Sequence, residues 1–245
     1  MLLSDGLGRS QVIEVGRVLA IDLFCGLGGW SEGLLAEGWE VVGFDIERHE
    51  YGVHRYPGQL VIQDVRTLHG SQFRAADLIV ASPPCQEYSY MAMPWKLAKA
   101  KGAAIRADTT GKELARLNEL FNACFRIQFE ASRAAGRHIP MVVENVRGAQ
   151  PWVGRARWNF GSFYLWGDVP ALMPMTISAY KVGGTNISQV GFNEGIKHQE
   201  SGHAWFRTGH GQLPSSSPSR KMASAMIAKI PLPLARHIGA VFRDA

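Results

Sequence analysis

The sequence predicts an α/β fold: a mostly parallel sheet with helices on both faces. Three observations carry this. Short β-branched runs recur at 18–24, 39–45, 60–62, 77–81 and 139–146. Helical or loop segments long enough for parallel crossovers separate them, which makes a βαβ series. A glycine turn, Cys25-Gly26-Leu27-Gly28-Gly29, lies between the first strand and the first helix. In an open α/β sheet such a turn suits either backbone N–H groups brought to a ligand or tight packing alone.

Composition sets the bounds. Apolar residues make up 46% of 245 positions, enough for one α/β domain with a small addition. Lys and Arg exceed Asp and Glu by 26 to 21, a formal charge of +5, which suits a polyanionic partner. Three cysteines, Cys25, Cys85 and Cys124, leave one outside any disulfide scheme, as expected for reduced thiols. Residues 1–17 read as a loose arm without a signal-peptide pattern, and no apolar run is long enough to span a membrane. A cytoplasmic location, of prokaryotic or phage type, is expected, with no membrane, no metal and no obligate protein partner.

In order, strand 18–24 feeds the glycine turn and a helix from Trp30. Strand 39–45 ends in Asp45, about twenty residues beyond the turn, where a carboxylate can accept from both ribose hydroxyls of a nucleotide. The bland reading of Asp45 is a cap for the segment near Glu47. Strand 60–62 runs into Asp64 and Val65; Asp64 suits either an adenine amino group or the cap of a turn. Strand 77–81 is stopped by Pro83 and Pro84, which present Cys85 on a rigid turn at a strand's carboxyl end. Residues 86–112 lack periodicity and read as a long loop with interleaved aromatics and lysines, suited to closing on DNA. Residues 112–136 read as one amphipathic helix with Cys124 in the core. Strand 139–146 ends in Glu144 and Asn145, a carboxylate and an amide beside an apolar run.

Beyond 151 the pattern becomes irregular and β-rich, and 158–166 is strand-like and aromatic. Residues 151–218 read as a small recognition module, 18–150 as the main domain, and 219–245 as a helical return broken at Pro231 and Pro233. Candidate base or phosphate contacts in the module are Asn186, Asn193, His198, His203, Arg207 and His210.

Three stretches, Asp22-Leu23-Phe24-Cys25-Gly26-Leu27-Gly28-Gly29, Pro83-Pro84-Cys85-Gln86-Glu87-Tyr88-Ser89 and Glu144-Asn145-Val146, together resemble the motifs of the cytosine-C5 DNA methyltransferase family. Ile230-Pro231-Leu232-Pro233 resembles the family's C-terminal segment, which completes the donor pocket. The resemblance implies a Rossmann-like class I methyltransferase sheet and S-adenosyl-L-methionine as methyl donor. It implies a donor site built from Asp22, Phe24, Gly26, Gly28, Gly29, Asp45, Ile46, Asp64, Val65 and Pro83. It implies a Cys85 nucleophile, Glu144 as the acid near the cytosine ring, and double-stranded DNA as substrate, with the target base flipped out. Arg155 and Arg157 fit the family's two arginines after Glu-Asn-Val, although Val153 stands where glutamine is usual and the spacing is short. Ala228-Lys229 likewise replaces the usual asparagine before the C-terminal proline.

The residues suit that chemistry. Cytosine C5 becomes nucleophilic once a thiolate adds at C6, and a carboxylic acid at N3 stabilises the adduct. Other classes stay open: an RNA cytosine-C5 methyltransferase, an amino-methyltransferase that needs no thiol, and a non-catalytic nucleic-acid-binding module on a methyltransferase fold.

Overall fold

The computed structural model describes residues 2–4, 10–12, 17–89, 95–173, 213–214 and 216–244. The six contacts suggested between Asn186 and His210 lie outside the described residues.

The chain begins with a short antiparallel pair, β1 (Leu2–Ser4) and β2 (Ser10–Val12), where a loose arm was expected. Then come β3 (Leu19–Leu23), α1 (Gly29–Ala36) and β4 (Glu40–Asp45). A small hairpin, β5 (Glu50–Tyr51) and β6 (His54–Arg55), precedes β7 (Gln59–Ile62) and β8 (Leu78–Ala81). Helices α2 (Trp95–Ala107), α3 (Lys112–Leu117) and α4 (Glu119–Ala135) lead to β9 (Met141–Asn145). The short α5 (Gln150–Val153), strands β10 (Trp158–Phe160) and β11 (Phe163–Gly167), and helices α6 (Pro218–Ala228) and α7 (Leu232–Arg243) follow.

Seven strands form one sheet in the order β10-β11-β9-β8-β3-β4-β7. The five from β7 to β9 are parallel, and β11 runs antiparallel to both β9 and β10. Residues 158–167, expected in a separate module, are therefore part of the central sheet. Strands β8 and β9 are buried at every position, as apolar runs covered on both faces must be. Asp77, just ahead of β8, has a carboxylate that accepts from the Leu19 N–H (3.0 Å) and from Arg137 (2.8 Å), so it fixes where the two central strands begin.

Two helical expectations change. Residues 86–112 are not one long loop, because α2 occupies 95–107. Its Ala- and Lys-rich sequence has high helix propensity but only a weak apolar stripe. Its Lys101 pairs with Glu87 at 2.6 Å. The helix expected over 112–136 is broken at Asn118. The Leu117 carbonyl and the Asn118 side chain accept from the Tyr88 hydroxyl (3.1 and 3.0 Å), and the Asn118 amide donates to the Trp152 carbonyl (2.8 Å). Tertiary hydrogen bonds thus take up groups at the break. Cys124 is fully buried in the core, as its helical stripe predicted.

The C-terminal segment returns onto α1. A Cβ on Gly33 would stand 2.3 Å from the Ala235 Cβ, and one on Gly29 would stand 2.4 Å from the Ile230 nitrogen. The Trp39 indole donates to the Gly239 carbonyl at 2.9 Å, and Lys229 pairs with Glu32 at 2.5 Å. The chain bends between α6 and α7, with Pro231 capping α7; Pro233 sits in its first turn, where a missing N–H costs nothing. Among the described residues no single helix is long and apolar enough to cross a membrane, and the bent α6–α7 pair buries Leu234, Ala235 and Ile238 in the protein.

Candidate active site

The carboxyl ends of β3, β4, β8 and β9 open on one cleft of about 1880 Å³. A single small-molecule site is commonly about 300–1,000 Å³, so this cleft has room for two ligands side by side.

One part is the glycine turn. Gly26 (φ 52°) has open space where a Cβ would stand, so bare backbone faces the cleft. Phe24 is held at φ 57°, a left-handed conformation that is uncommon for a non-glycine residue and concentrates at functional sites. Asp45 shapes the turn from below: its Oδ2 accepts the Gly26 N–H at 2.8 Å, and its Oδ1 accepts the Glu47 N–H at 3.3 Å. The capping reading of Asp45 therefore holds, because the carboxylate braces the local backbone, and the residue also lines the cleft. Burial pushes its carboxyl up, but His49 at 3.7 Å and the two N–H groups outweigh this and hold it below its ordinary value. Asp64 also has two roles. It lines the cleft and caps the turn over 65–67, accepting the Arg66 N–H at 2.9 Å. The Arg66 guanidinium beside it holds its carboxyl low.

Asp22 is placed differently from the expectation. It is wholly buried and is not among the residues lining the cleft. Its Oδ2 accepts from the Ser31 hydroxyl at 2.6 Å, and Ser31 lies 2.6 Å from the Tyr56 hydroxyl. Its Oδ1 has no hydrogen-bond partner among the described residues. Burial pushes the Asp22 carboxyl up to about 7. Gly28 (φ 77°) is also outside the cleft lining, since its Cβ position points at Pro57 and Tyr56. Both residues underlie the turn and do not line the cleft. The Cys25 thiol, buried beside Asp22 and Asp45, is pushed far up, away from the thiolate form that a nucleophile needs.

The other part holds Cys85 and Glu144. Strands β8 and β9 are parallel neighbours with Ala81 opposite Val143, so Cys85, beyond the end of β8, and Glu144, near the end of β9, line the same cleft. Cys85 is partly exposed on the loop, whereas Glu144 is 8% exposed at the end of β9. Asn145 is buried and donates to the Pro83 carbonyl at 2.9 Å, tying the β9 terminus to the Cys85 loop. The Cys85 carbonyl accepts from the N–H groups of Tyr88 (3.0 Å) and Ser89 (2.9 Å), which closes the turn.

The structure therefore brings together Cys85, Glu144, Phe24, Gly26, Gly29, Asp45, Ile46, Asp64, Val65 and Pro83. Arg155 and Arg157 are exposed and stand outside the cleft. Arg147, two residues after Asn145, lines it instead, as do Trp30, His49 and Lys221. Position relative to the motifs could have suggested Arg147 and Trp30. Lys221 enters only through the return of the C-terminal helices, which no local pattern encodes.

Sheet order and site location together define a class I methyltransferase-like fold, with the cleft on the carboxyl side of the parallel strands. Residues 18–103 match the model of a family described as C-5 cytosine-specific DNA methylase, and the chain resembles that family through the stretch carrying the glycine turn and the Cys85 loop. No curated protein matches. Among solved structures, the chain is similar to an Escherichia coli prophage-encoded protein assigned as a DNA modification methyltransferase. Identity is 24% and the TM-score 0.36, over 54% of this chain and 33% of the other. A mutant of Spodoptera frugiperda DNMT2 shows 17% identity and a TM-score of 0.35, over 56% of this chain and 38% of that one. The Entamoeba histolytica methyltransferase EhMeth shows 11% identity and a TM-score of 0.43, over 94% and 99%. The match thus spans well under half of the first two proteins.

Proposed function

We propose that this protein is an S-adenosylmethionine-dependent DNA cytosine-C5 methyltransferase that acts on a flipped-out base in double-stranded DNA. The observation that carries the reading is the juxtaposition of Cys85 and Glu144, on adjacent parallel strand ends, with an open glycine turn in the same cleft. The turn suits a nucleoside donor: bare backbone at Gly26, a strained Phe24, and the Asp45 carboxylate at the next strand end. When bound, the donor supplies an electrophilic methyl on a sulfonium.

The chain's residues do the rest. The Cys85 thiolate adds to C6 of cytosine while Glu144 delivers a proton to N3, and the C5–C6 π electrons become available at C5. C5 takes the methyl group, leaving S-adenosylhomocysteine. A base then removes the C5 proton, the C6–S bond breaks, and Cys85 leaves as thiolate while N3 returns its proton. Pro83 and Pro84 hold the nucleophile on a stiff loop, and Asn145 keeps that loop against Glu144. Asp45 and Asp64 orient the donor. A target base in a duplex must leave the stack to reach this cleft.

The test is trapping. Duplex DNA containing 5-fluorocytosine, which has no removable proton at C5, should give a denaturant-stable adduct that requires both donor and Cys85. Cys85→Ser should lose the adduct and all turnover while retaining donor binding. An active Cys85→Ser variant would overturn the mechanism, and methylation of RNA but not DNA would overturn the substrate.

A further inference from the structure

The segment entering the nucleophile is short of its own anchors. Pro83 and Pro84 have no N–H, so neither can donate a hydrogen bond from the loop to the sheet. Among the described residues, three hydrogen bonds tie the stretch from Ser82 to Pro84 to other elements. The Ser82 N–H donates to the Leu23 carbonyl at 3.2 Å, extending the ladder toward β3. The Pro83 carbonyl accepts from Asn145 on β9 at 2.9 Å. The third is of another kind: the Ser82 hydroxyl accepts from the Trp30 indole Nε1–H at 3.0 Å.

Trp30 is the second residue of α1, directly after the glycine turn, and is 1% exposed. It belongs to a buried core cluster that also contains Ala20, Leu34, Val80 and Ile230, residues of the central sheet, its own helix and the C-terminal return. Indole can only donate, and Ser82 is the partner on that side. A rigid, buried ring therefore links the helix directly after the glycine turn to the residue before Pro83-Pro84-Cys85, and both Trp30 and Ser82 are among the residues lining the cleft.

We propose that Trp30 and Ser82 are a positioning pair that fixes the Cys85 loop relative to the methyl-donor turn. The inference rests on the function proposed above, for which both reactants must be aligned across the cleft. Misplacement of a reacting atom by about 1 Å can cost on the order of a hundredfold in rate. The pair acts on the alignment of Cys85 and leaves the donor contacts at Gly26 and Asp45 in place.

The test uses the full chain with Ser82→Ala, Ser82→Thr, Trp30→Phe and the Ser82→Ala/Trp30→Phe double variant. At a temperature where each is folded, three quantities are read: donor Kd by calorimetry, the rate of adduct formation with 5-fluorocytosine DNA, and Cys85 alkylation by a small haloacetamide. Buried Cys25 and Cys124 should react far more slowly with that reagent. Ser82→Ala and Trp30→Phe should each slow adduct formation about tenfold to a hundredfold, change the alkylation rate at least about threefold, and leave donor Kd within about twofold. Ser82→Thr, which keeps the acceptor, should behave as wild type. The double variant should be no worse than the poorer single one, as expected for two halves of one interaction. Additive losses, a Ser82→Thr variant as slow as Ser82→Ala, or a donor Kd that weakens in parallel with the rate would each overturn the positioning pair. If wild type forms no adduct and transfers no methyl, the proposed function falls; unchanged alkylation and adduct rates in the variants of an active enzyme remove only the pair.

Discussion

Replacing Asp22 by asparagine tests the buried network under the glycine turn. Asp22 is wholly buried, with one oxygen bonded to Ser31 and the other without a hydrogen-bond partner among the described residues. Burial is the main reason its carboxyl is raised from 3.8 to about 7; the Ser31 hydrogen bond opposes that rise and the nearby Asp45 charge adds to it. The sign follows from proton counting. Between pH 3.8 and about 7 the folded protein holds a proton at Asp22 that the unfolded chain has released, so stability falls as pH rises through that window. The cost is absent below the window and complete above it. Each pKa unit corresponds to about 1.36 kcal/mol, so the full shift is worth on the order of 4 kcal/mol.

Asparagine keeps the size of the side chain and an oxygen to accept from Ser31, but it cannot ionise. The assay is urea unfolding of wild type and Asp22→Asn at intervals from pH 4 to 9. The quantity of interest is the difference between the two proteins, because other titrating groups cancel in it. Asp22→Asn should gain on wild type by several kcal/mol on going from pH 4 to pH 8, with most of the change complete by about pH 7. A difference that is flat across this range would show that Asp22 carries no raised pKa, and that Oδ1 finds a partner in solution.

Two further substitutions test the donor site and the C-terminal return. Asp45→Ala should raise the Kd for S-adenosylmethionine about tenfold to a hundredfold by calorimetry, through loss of a charged acceptor and of the brace on Gly26; unchanged affinity would remove Asp45 from the donor site. Gly33→Ala should destabilise the protein by about 1–3 kcal/mol in denaturant unfolding, because its Cβ would stand 2.3 Å from the Ala235 Cβ. An isolated helix would instead gain up to about 1 kcal/mol from the same change, so a stabilised variant would mean that α7 does not pack on α1.

What could be read from the sequence divides by the range of the interaction. The central parallel strands were legible because a strand buried on both faces reads as a near-continuous apolar run, and Leu78–Ala81 and the first three residues of Met141–Asn145 are such runs. The placing of Cys85 and Glu144 in one cleft was legible for the same reason: Cys85 follows, and Glu144 stands near the end of, a strand whose carboxyl end a parallel sheet directs to the cleft. Asp22 was misplaced because a motif records that an acid is present, not which way its side chain points; inside a strand the alternation of faces decides this, and here it turns Asp22 toward Ser31 and Tyr56. The break at Asn118 was hidden because its cause, the Tyr88 hydroxyl, lies thirty positions away. The Trp30–Ser82 bond was hidden likewise, across 52 positions. Long-range polar contacts of this kind carry no periodicity, so they surface only once the sheet has set which strand ends are neighbours. In this protein they lie between the donor turn, the Cys85 loop and the helix behind it. The strands fix where the cleft is, and these few hydrogen bonds fix how its two halves face each other.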